Sequence, residues 1–518
     1  MGPRGAHQPM PRTIDLEALQ RELSGGRPQA RVSVDDLSTY LRSPFNLWAD
    51  LHAPATEQQA ASGYDALVRD VSFSHRERMV IIHFADLPLP PSRDHRVSFA
   101  TLLRGMAEGA RGFRRHPLLW DAGGLWGEPA VLVRTESAPS RFGPWSYEVV
   151  HLTLARTLRD HHHIPAMAYN LLLSKVQGRL PTQVTIIDGA GAFHRIPHDP
   201  LVLDETVRAV MRIVEGEPVR PFFGGADAPW SDYCDQLAVA ARDVSLVSKV
   251  GPAAARNLAT LGIYTVEHLA GADREALQSL PRVGAKTADG WIAAAQVLSE
   301  GTTPRRLEAV SLPRGRPLAF LDFESTIPMG SDPDEGGVPN VDYLIGVLQF
   351  PDGAEIGPRG GTYLPFVAHR IEAEEEAFGQ FLAWFEDNGR PPLLHWSSYE
   401  KTRFNRLFDA YPTHHRLRAP VLEALVDLLD RARRGWIFPT TGYGLKVVAH
   451  FLGYRWRHAD VTALQSIVHY LNYVQNPQQY AELLRKVLDY NEDDLRATAL
   501  VYQWLATHEA PAGRATLK

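Results

Sequence analysis

Cysteine is almost missing from this chain: Cys234 is the sole one in 518 residues. That excludes an internal disulfide framework and any zinc or iron–sulfur site built on a cysteine cluster within one chain. No run of 18 apolar residues occurs, so no membrane-spanning helix is expected. The opening stretch, Met1 to Thr13, lacks the apolar core of a secretory signal. Residues 1–31 therefore read as a disordered lead-in and the protein as cytoplasmic. Positive charge is not in excess either: 54 Lys and Arg stand against 60 Asp and Glu, a net charge of −6. A global basic field is excluded, although a local basic groove is not. A G-x-x-x-x-G-K-[ST] phosphate loop is also missing.

What is present is ordinary for a folded protein, 44% hydrophobic and 22% charged. The length suggests about three domains. The last part is organised around Leu318 to Thr326, which reads Leu-Ala-Phe-Leu-Asp-Phe-Glu-Ser-Thr. Four apolar residues entering an acidic pair, followed by the polar Pro328–Asn340 segment, predict a buried strand ending at a sheet edge. Alternation on a strand puts Asp322 and Glu324 on one face and Phe323 on the other. Two neighbouring carboxylates are costly to bury without positive charge between them, and a hard divalent cation would supply it. Solvated acids at an exposed strand end fit this stretch taken alone.

Residues 32–225 alternate helical and strand patterns. Val32 to Pro44 begins with a Ser or Asp helix cap and stops at proline. Strands are expected at Ala130–Arg134, Tyr147–Leu154 and Val184–Asp188, with a helix over 164–176 that holds Pro165 near its start. The order resembles the RecB-like branch of the PD-(D/E)XK nucleases, whose members show G-x-P-D, then D-x-K, then Q-x-x-x-Y. Here the three positions read Gly127-Glu128-Pro129-Ala130, His151-Leu152-Thr153 and Pro165-Ala166-Met167-Ala168-Tyr169. The frame matches, but the acids, the lysine and the glutamine are gone. A metal-and-lysine site cannot be assembled from Ala, His and Thr, so the resemblance implies an inactive domain. The other reading is a different metal site made by His75, His151 and the run His161-His162-His163.

Residues 226–300 carry a weak internal repeat. Lys249-Val250-Gly251 and Arg282-Val283-Gly284 each precede an Ala-rich helix. This resembles tandem helix-hairpin-helix motifs, where a glycine turn opens backbone N–H groups toward a phosphate. The resemblance implies nucleic-acid contacts at Lys249, Gly251, Arg282, Gly284 and Lys286. A plain helical connector is the other reading. Residues 301–315 then serve as a linker.

From 316 to 508 the chain returns to strands, and 509–518 form a tail. Tyr343–Phe350 reads as a second strand and Glu372–Phe385 as an acidic helix. His395-Trp396-Ser397-Ser398-Tyr399-Glu400 runs from a strand into a helix, and Leu488 to Thr498 is helical. Tyr490 and Asp494, four apart, share a helix face, while Asp493 points about 100° away. This part resembles the YprB-type group of ribonuclease-H-like exonucleases with four acidic residues. Its motifs D-x-E, an acid opening a helix, and Y-x-x-x-D fall on Asp322, Glu324, Glu400, Tyr490 and Asp494. His395 stands where many relatives have asparagine.

The resemblance implies an α/β multidomain protein whose ribonuclease-H-like domain has a mixed sheet flanked by helices. It implies two ions, Mg²⁺ or Mn²⁺, held by Asp322, Glu324, Glu400 and Asp494, with Tyr490 orienting a water. Lys446 is a candidate phosphate contact and Asp427 an auxiliary carboxylate; a surface lysine and a helix-face acid are the other readings. The function so implied is a 3′–5′ exonuclease acting in nucleic-acid repair or defence, with DNA favoured over RNA. The alternative is a nucleic-acid-binding accessory subunit of a helicase or defence complex that cuts little.

Overall fold

The computed structural model describes residues 14–25, 32–314, 317–329 and 337–509. The chain divides into two compact units. One holds Met1–Ala60 and Val68–Cys234 with Met329–Val338; the other holds Ala61–Leu67, Asp235–Pro328 and Pro339–Lys518. No described helix is long and apolar enough to cross a membrane.

The first unit opens with helix α1 (Leu16–Ser24), capped by Asp15, whose Oδ1 accepts from the Ala18 N–H at 2.9 Å. Leu19 and Leu23, one turn apart, are buried in the unit's core. The disordered lead-in is corrected here: four-residue apolar spacing gives even this short segment a face to bury. The rest of that expectation, 1–13 and 26–31, lies outside the described residues, as do 510–518 of the tail. Helix α2 (Val34–Arg42) starts with a capping box, Ser33 and Asp36 each accepting the other's backbone N–H.

A five-stranded sheet follows. Its strands are β1 (Gly112–Arg114), β2 (Val131–Thr135), β3 (Ser146–Leu152), β4 (Gln183–Ile187) and β5 (Phe193–Pro197), in that spatial order. All neighbours are antiparallel except β3 and β4. That parallel pair requires a crossover, which helix α3 (Asp160–Gln177) provides. The helix begins four residues before the expected 164. The histidine run belongs to its first turn, and Pro165 lies inside it.

In the second unit, helices α4 (Pro252–Ala259) and α5 (Ala285–Glu300) follow the two glycine turns, with short helices Val266–Ala270 and Arg274–Gln278 between them. The sheet that comes next has strands β6 (Leu318–Ser325), β7 (Asp342–Phe350), β8 (Thr362–Val367), β9 (Leu393–His395) and β10 (Leu425–Asp427). Their spatial order is β8-β7-β6-β9-β10. β7 is antiparallel to β6 and β8, whereas β6, β9 and β10 run parallel. Around it lie helices α6 (Glu374–Asp387), α7 (Tyr399–Ala410), α8 (Leu445–Phe451), α9 (Ala463–Gln475) and α10 (Ala481–His508).

Strand β6 is central and buried on both faces, as its apolar run requires. Ala319, Leu321 and Phe323 enter a core with Phe378, Phe381, Phe404 and Phe408 of α6 and α7. Leu318 and Phe320 enter another with Leu495, Ala499, Tyr502 and Leu505 of α10. Alternation continues this second face through Asp322 and Glu324, so both acids are directed toward the long final helix. Of the polar segment after the strand, 330–336 lie outside the described residues.

Candidate functional site

Three carboxylates meet where β6 faces α10. Oxygens of Asp322, Glu324 and Asp494 all lie within 4.8 Å of one another, the sole such cluster of metal-ligating side chains among the described residues. Two come from alternate positions of one strand, and the third from a helix whose apolar stripe packs on that strand. The arrangement thus follows from the hydrophobic pattern on each side of it.

The three carboxylates are buried together, and charge within the cluster raises their proton affinity. Burial, then the charges of Asp494, Glu324 and Glu400, raise the Asp322 pKa well above its ordinary value. Burial followed by Asp494 pushes Glu324 up to about 8. Asp494 rises to about 7, mainly through burial, despite the opposing effects of Trp456 and Lys446. Three acids that repel this strongly, with oxygen-only donors, fit hard divalent cations.

Each acid is also held by neutral donors. The Asn491 amide donates to Asp322 Oδ2 at 2.7 Å, Ser466 Oγ to Glu324 Oε2 at 2.7 Å, and Trp456 Nε1 to Asp494 Oδ1 at 2.8 Å. Tyr343 reaches Glu324 at 3.4 Å. Ser466 is fully buried on α9. Trp456 is carried by the loop after α8. The sequence reading identified none of these donors. Only Asn491, three residues before Asp494 on the same helix face, carried a signal in its spacing.

Glu400 lies in the first turn of α7, outside the tight triad but close enough for its charge to raise Asp322. It is buried, with His395 Nδ1 at 3.2 Å and Ser397 Oγ at 3.4 Å from Oε2. Ser397 turns the chain from β9 into α7 at φ 122°, a conformation a non-glycine residue holds only under local constraint. Tyr490 is buried beside Asp494, and its hydroxyl pKa is raised by burial first and by Asp494 next. Lys446 Nζ lies 4.6 Å from the centre of the Tyr490 ring and 5.5 Å from that of Trp456.

Two acids go elsewhere. Asp427 caps the helix Leu428–Gly435, accepting the Asp430 N–H at 3.0 Å. Its Oδ1 serves a helix start, and the residue is not one of the three carboxylates of the cluster. Asp493 turns away to Tyr454 Oη at 2.8 Å and the Arg457 guanidinium at 3.0 Å.

At the two hairpins, Gly251 and Gly284 occupy the N-cap positions of α4 and α5, neither with a side-chain cap. Lys249 and Arg282 both have positive φ, 71° and 64°, so the repeat is geometric as well as sequential. A Cβ on either glycine would meet nothing within 4 Å. Internal packing therefore does not require glycine at either turn. Lys249, Arg282 and Lys286 are exposed around these open helix starts.

In the first unit the residues read against the RecB-like motifs make local contacts. Glu128 Oε1 lies 3.1 Å from His95 Nε2, and Thr153 Oγ1 accepts the Ala155 N–H at 3.2 Å. Tyr169 is buried against Gly127. Burial pushes His151 down to about 4, which favours the neutral ring. Among the described residues the histidines gather no metal set.

Residues 319–506 match the family model of the RNase_H superfamily. The domain is ribonuclease-H-like. Residues 241–296 match the SAM-like Helix-hairpin-helix tandem. No curated protein matches the chain. A ribonuclease-H-like domain with a helix-hairpin-helix module points to a nucleic-acid-binding nuclease that uses divalent metal ions.

Proposed function

We propose that the chain is a metal-dependent 3′–5′ exonuclease of the YprB type, acting on DNA in preference to RNA. The observation that carries this reading is the meeting of Asp322, Glu324 and Asp494 within 4.8 Å, beside Glu400 and Tyr490. A pair of Mg²⁺ or Mn²⁺ ions, when bound, would supply an activated water and stabilise the leaving 3′ oxygen. Asp322, Glu324, Asp494 and Glu400 would hold those ions. Asn491, Ser466 and Trp456 fix the carboxylate oxygens in advance, and His395 orients Glu400. Tyr490, hydrogen-bonded to Asp494, would orient the attacking water, and Lys446 would supply positive charge near the scissile phosphate. Exposed glycine turns at 251 and 284 grip the backbone of the same strand.

The unit before residue 235 contributes no chemistry in this reading and is a degenerate RecB-like domain. The role assigned to the chain is nucleic-acid repair or defence, with a helicase or defence complex as the candidate partner. The test is cleavage of 3′- and 5′-labelled single-stranded and duplex DNA and RNA with Mg²⁺ or Mn²⁺. Wild-type protein is expected to shorten DNA from the 3′ end, and Asp322→Ala or Asp494→Ala to abolish this while remaining folded. Equal cleavage by wild type and both variants would overturn the assignment, and binding without cleavage by the wild type would favour an accessory role.

A further inference from the structure

A cleft of about 280 Å³ in the first unit is lined by Arg141, Lys175 and Arg179, together with Trp120, Ser174 and Glu22. Three cationic side chains come from different places in the fold. Arg141 lies in the turn between Ser140 and Gly143, Lys175 in the last turn of α3, and Arg179 just beyond its Gly178 cap. Lys175 Nζ sits 4.3 Å from the centre of the Trp120 ring. None of the three pairs with a carboxylate within 4 Å among the described residues, Glu22 included. The Arg179 Nη1 atom is sealed from solvent with no hydrogen-bond acceptor.

Compensation of the α3 dipole accounts for Lys175, since a cation in the last turn of a helix is favourable. It does not account for Arg141, which reaches in from a separate turn and lies over Gly178. Nor does it account for the Arg179 guanidinium, whose buried Nη1 has no acceptor. Three cationic side chains without carboxylate partners around one cleft suit an anion. Two planar guanidinium forks and an ammonium suit the oxygens of a phosphate.

We propose that this cleft binds a phosphate group of a nucleic-acid strand, as a contact separate from the carboxylate centre. The strand is the source assigned because the other domains of the chain take nucleic acid. The site would give a catalytically degenerate unit a binding role.

Binding of a labelled single-stranded DNA to the full chain, measured in EDTA across a salt series, tests the proposal without involving cleavage. In Arg141→Gln/Lys175→Gln/Arg179→Gln protein, affinity should fall and the slope of log K against log salt should flatten by about 0.7, the value for one neutralised phosphate on a single strand. Arg141→Gln/Lys175→Gln, which leaves the buried guanidinium in place, should weaken binding and flatten the slope in the same direction, by no more than about 0.7, and guards against misfolding of the triple variant. A parallel arm measures thermal stabilisation by inorganic phosphate. An unchanged slope with loss of phosphate stabilisation would overturn the strand and assign the cleft to free phosphate. An unchanged slope with unchanged stabilisation would overturn the site altogether.

Discussion

The Asn491 side-chain amide donates to Asp322 Oδ2 at 2.7 Å, and the residue paired with Asp322 on the neighbouring strand is Gly346. A Cβ at Gly346 would stand 1.7 Å from Asn491 Oδ1, and Tyr363 donates to that same oxygen at 3.0 Å. One glycine on β7 thus makes room for the amide that fixes a carboxylate on β6.

Two substitutions separate orientation from packing here. Asn491→Ala removes the donor to Asp322 and should lower kcat about tenfold, close to 1.4 kcal/mol. Gly346→Ala forces the amide aside and should lower both the melting temperature and the rate. Steady-state kinetics with thermal melts on both variants check this. A fully active Gly346→Ala protein of unchanged stability would refute the account of the glycine.

Tyr490→Phe keeps the ring and removes the hydroxyl. The carboxylates remain, so metal affinity should barely change while single-turnover cleavage falls about 10²-fold, the usual scale for losing one positioning or proton-transfer group. Equal rates in the two proteins would reduce Tyr490 to a core aromatic.

Acidity should couple to stability and to metal. Glu324 titrates at about 8 and Asp494 at about 7, with Asp322 well above its ordinary value, each raised first by burial. In the folded chain without metal these groups keep protons that the unfolded chain releases near pH 4. Their contribution to stability is therefore complete below about pH 4 and is lost as pH rises through about 7 to 8. Cations need the ionised forms, so the melting-temperature gain from Mg²⁺ or Mn²⁺ should grow over the same interval. Melting curves with EDTA and with metal across that range are the measurement. A metal effect independent of pH would contradict it.

Gly251→Val/Gly284→Val should fold, because φ is −81° and −90° at these positions and no protein atom crowds either Cβ. The new side chains would obstruct a phosphate approaching the helix starts, so DNA affinity should fall and its salt dependence flatten. Unchanged affinity at every salt concentration in the folded variant would leave the hairpins as connectors.

Local order was legible wherever periodicity was strong. The run Leu318 to Thr326 gave the central strand, with Asp322 and Glu324 on one face. The four-residue step gave Tyr490 and Asp494 a common helix face, and the repeated Val-Gly pairs placed the hairpins. Each rests on the backbone period alone, 2 for a strand and 3.6 for a helix, which the sequence states directly. Helix α1 and strand β8 were not legible: the first is too short to announce itself, and the second alternates weakly at a sheet edge. Tertiary structure alone brought Ser466 and Trp456 to the carboxylates and set three cations around one cleft. These depend on which side chains meet across elements far apart in the chain. Such distances follow from the packing of whole layers, which no local pattern of residues records.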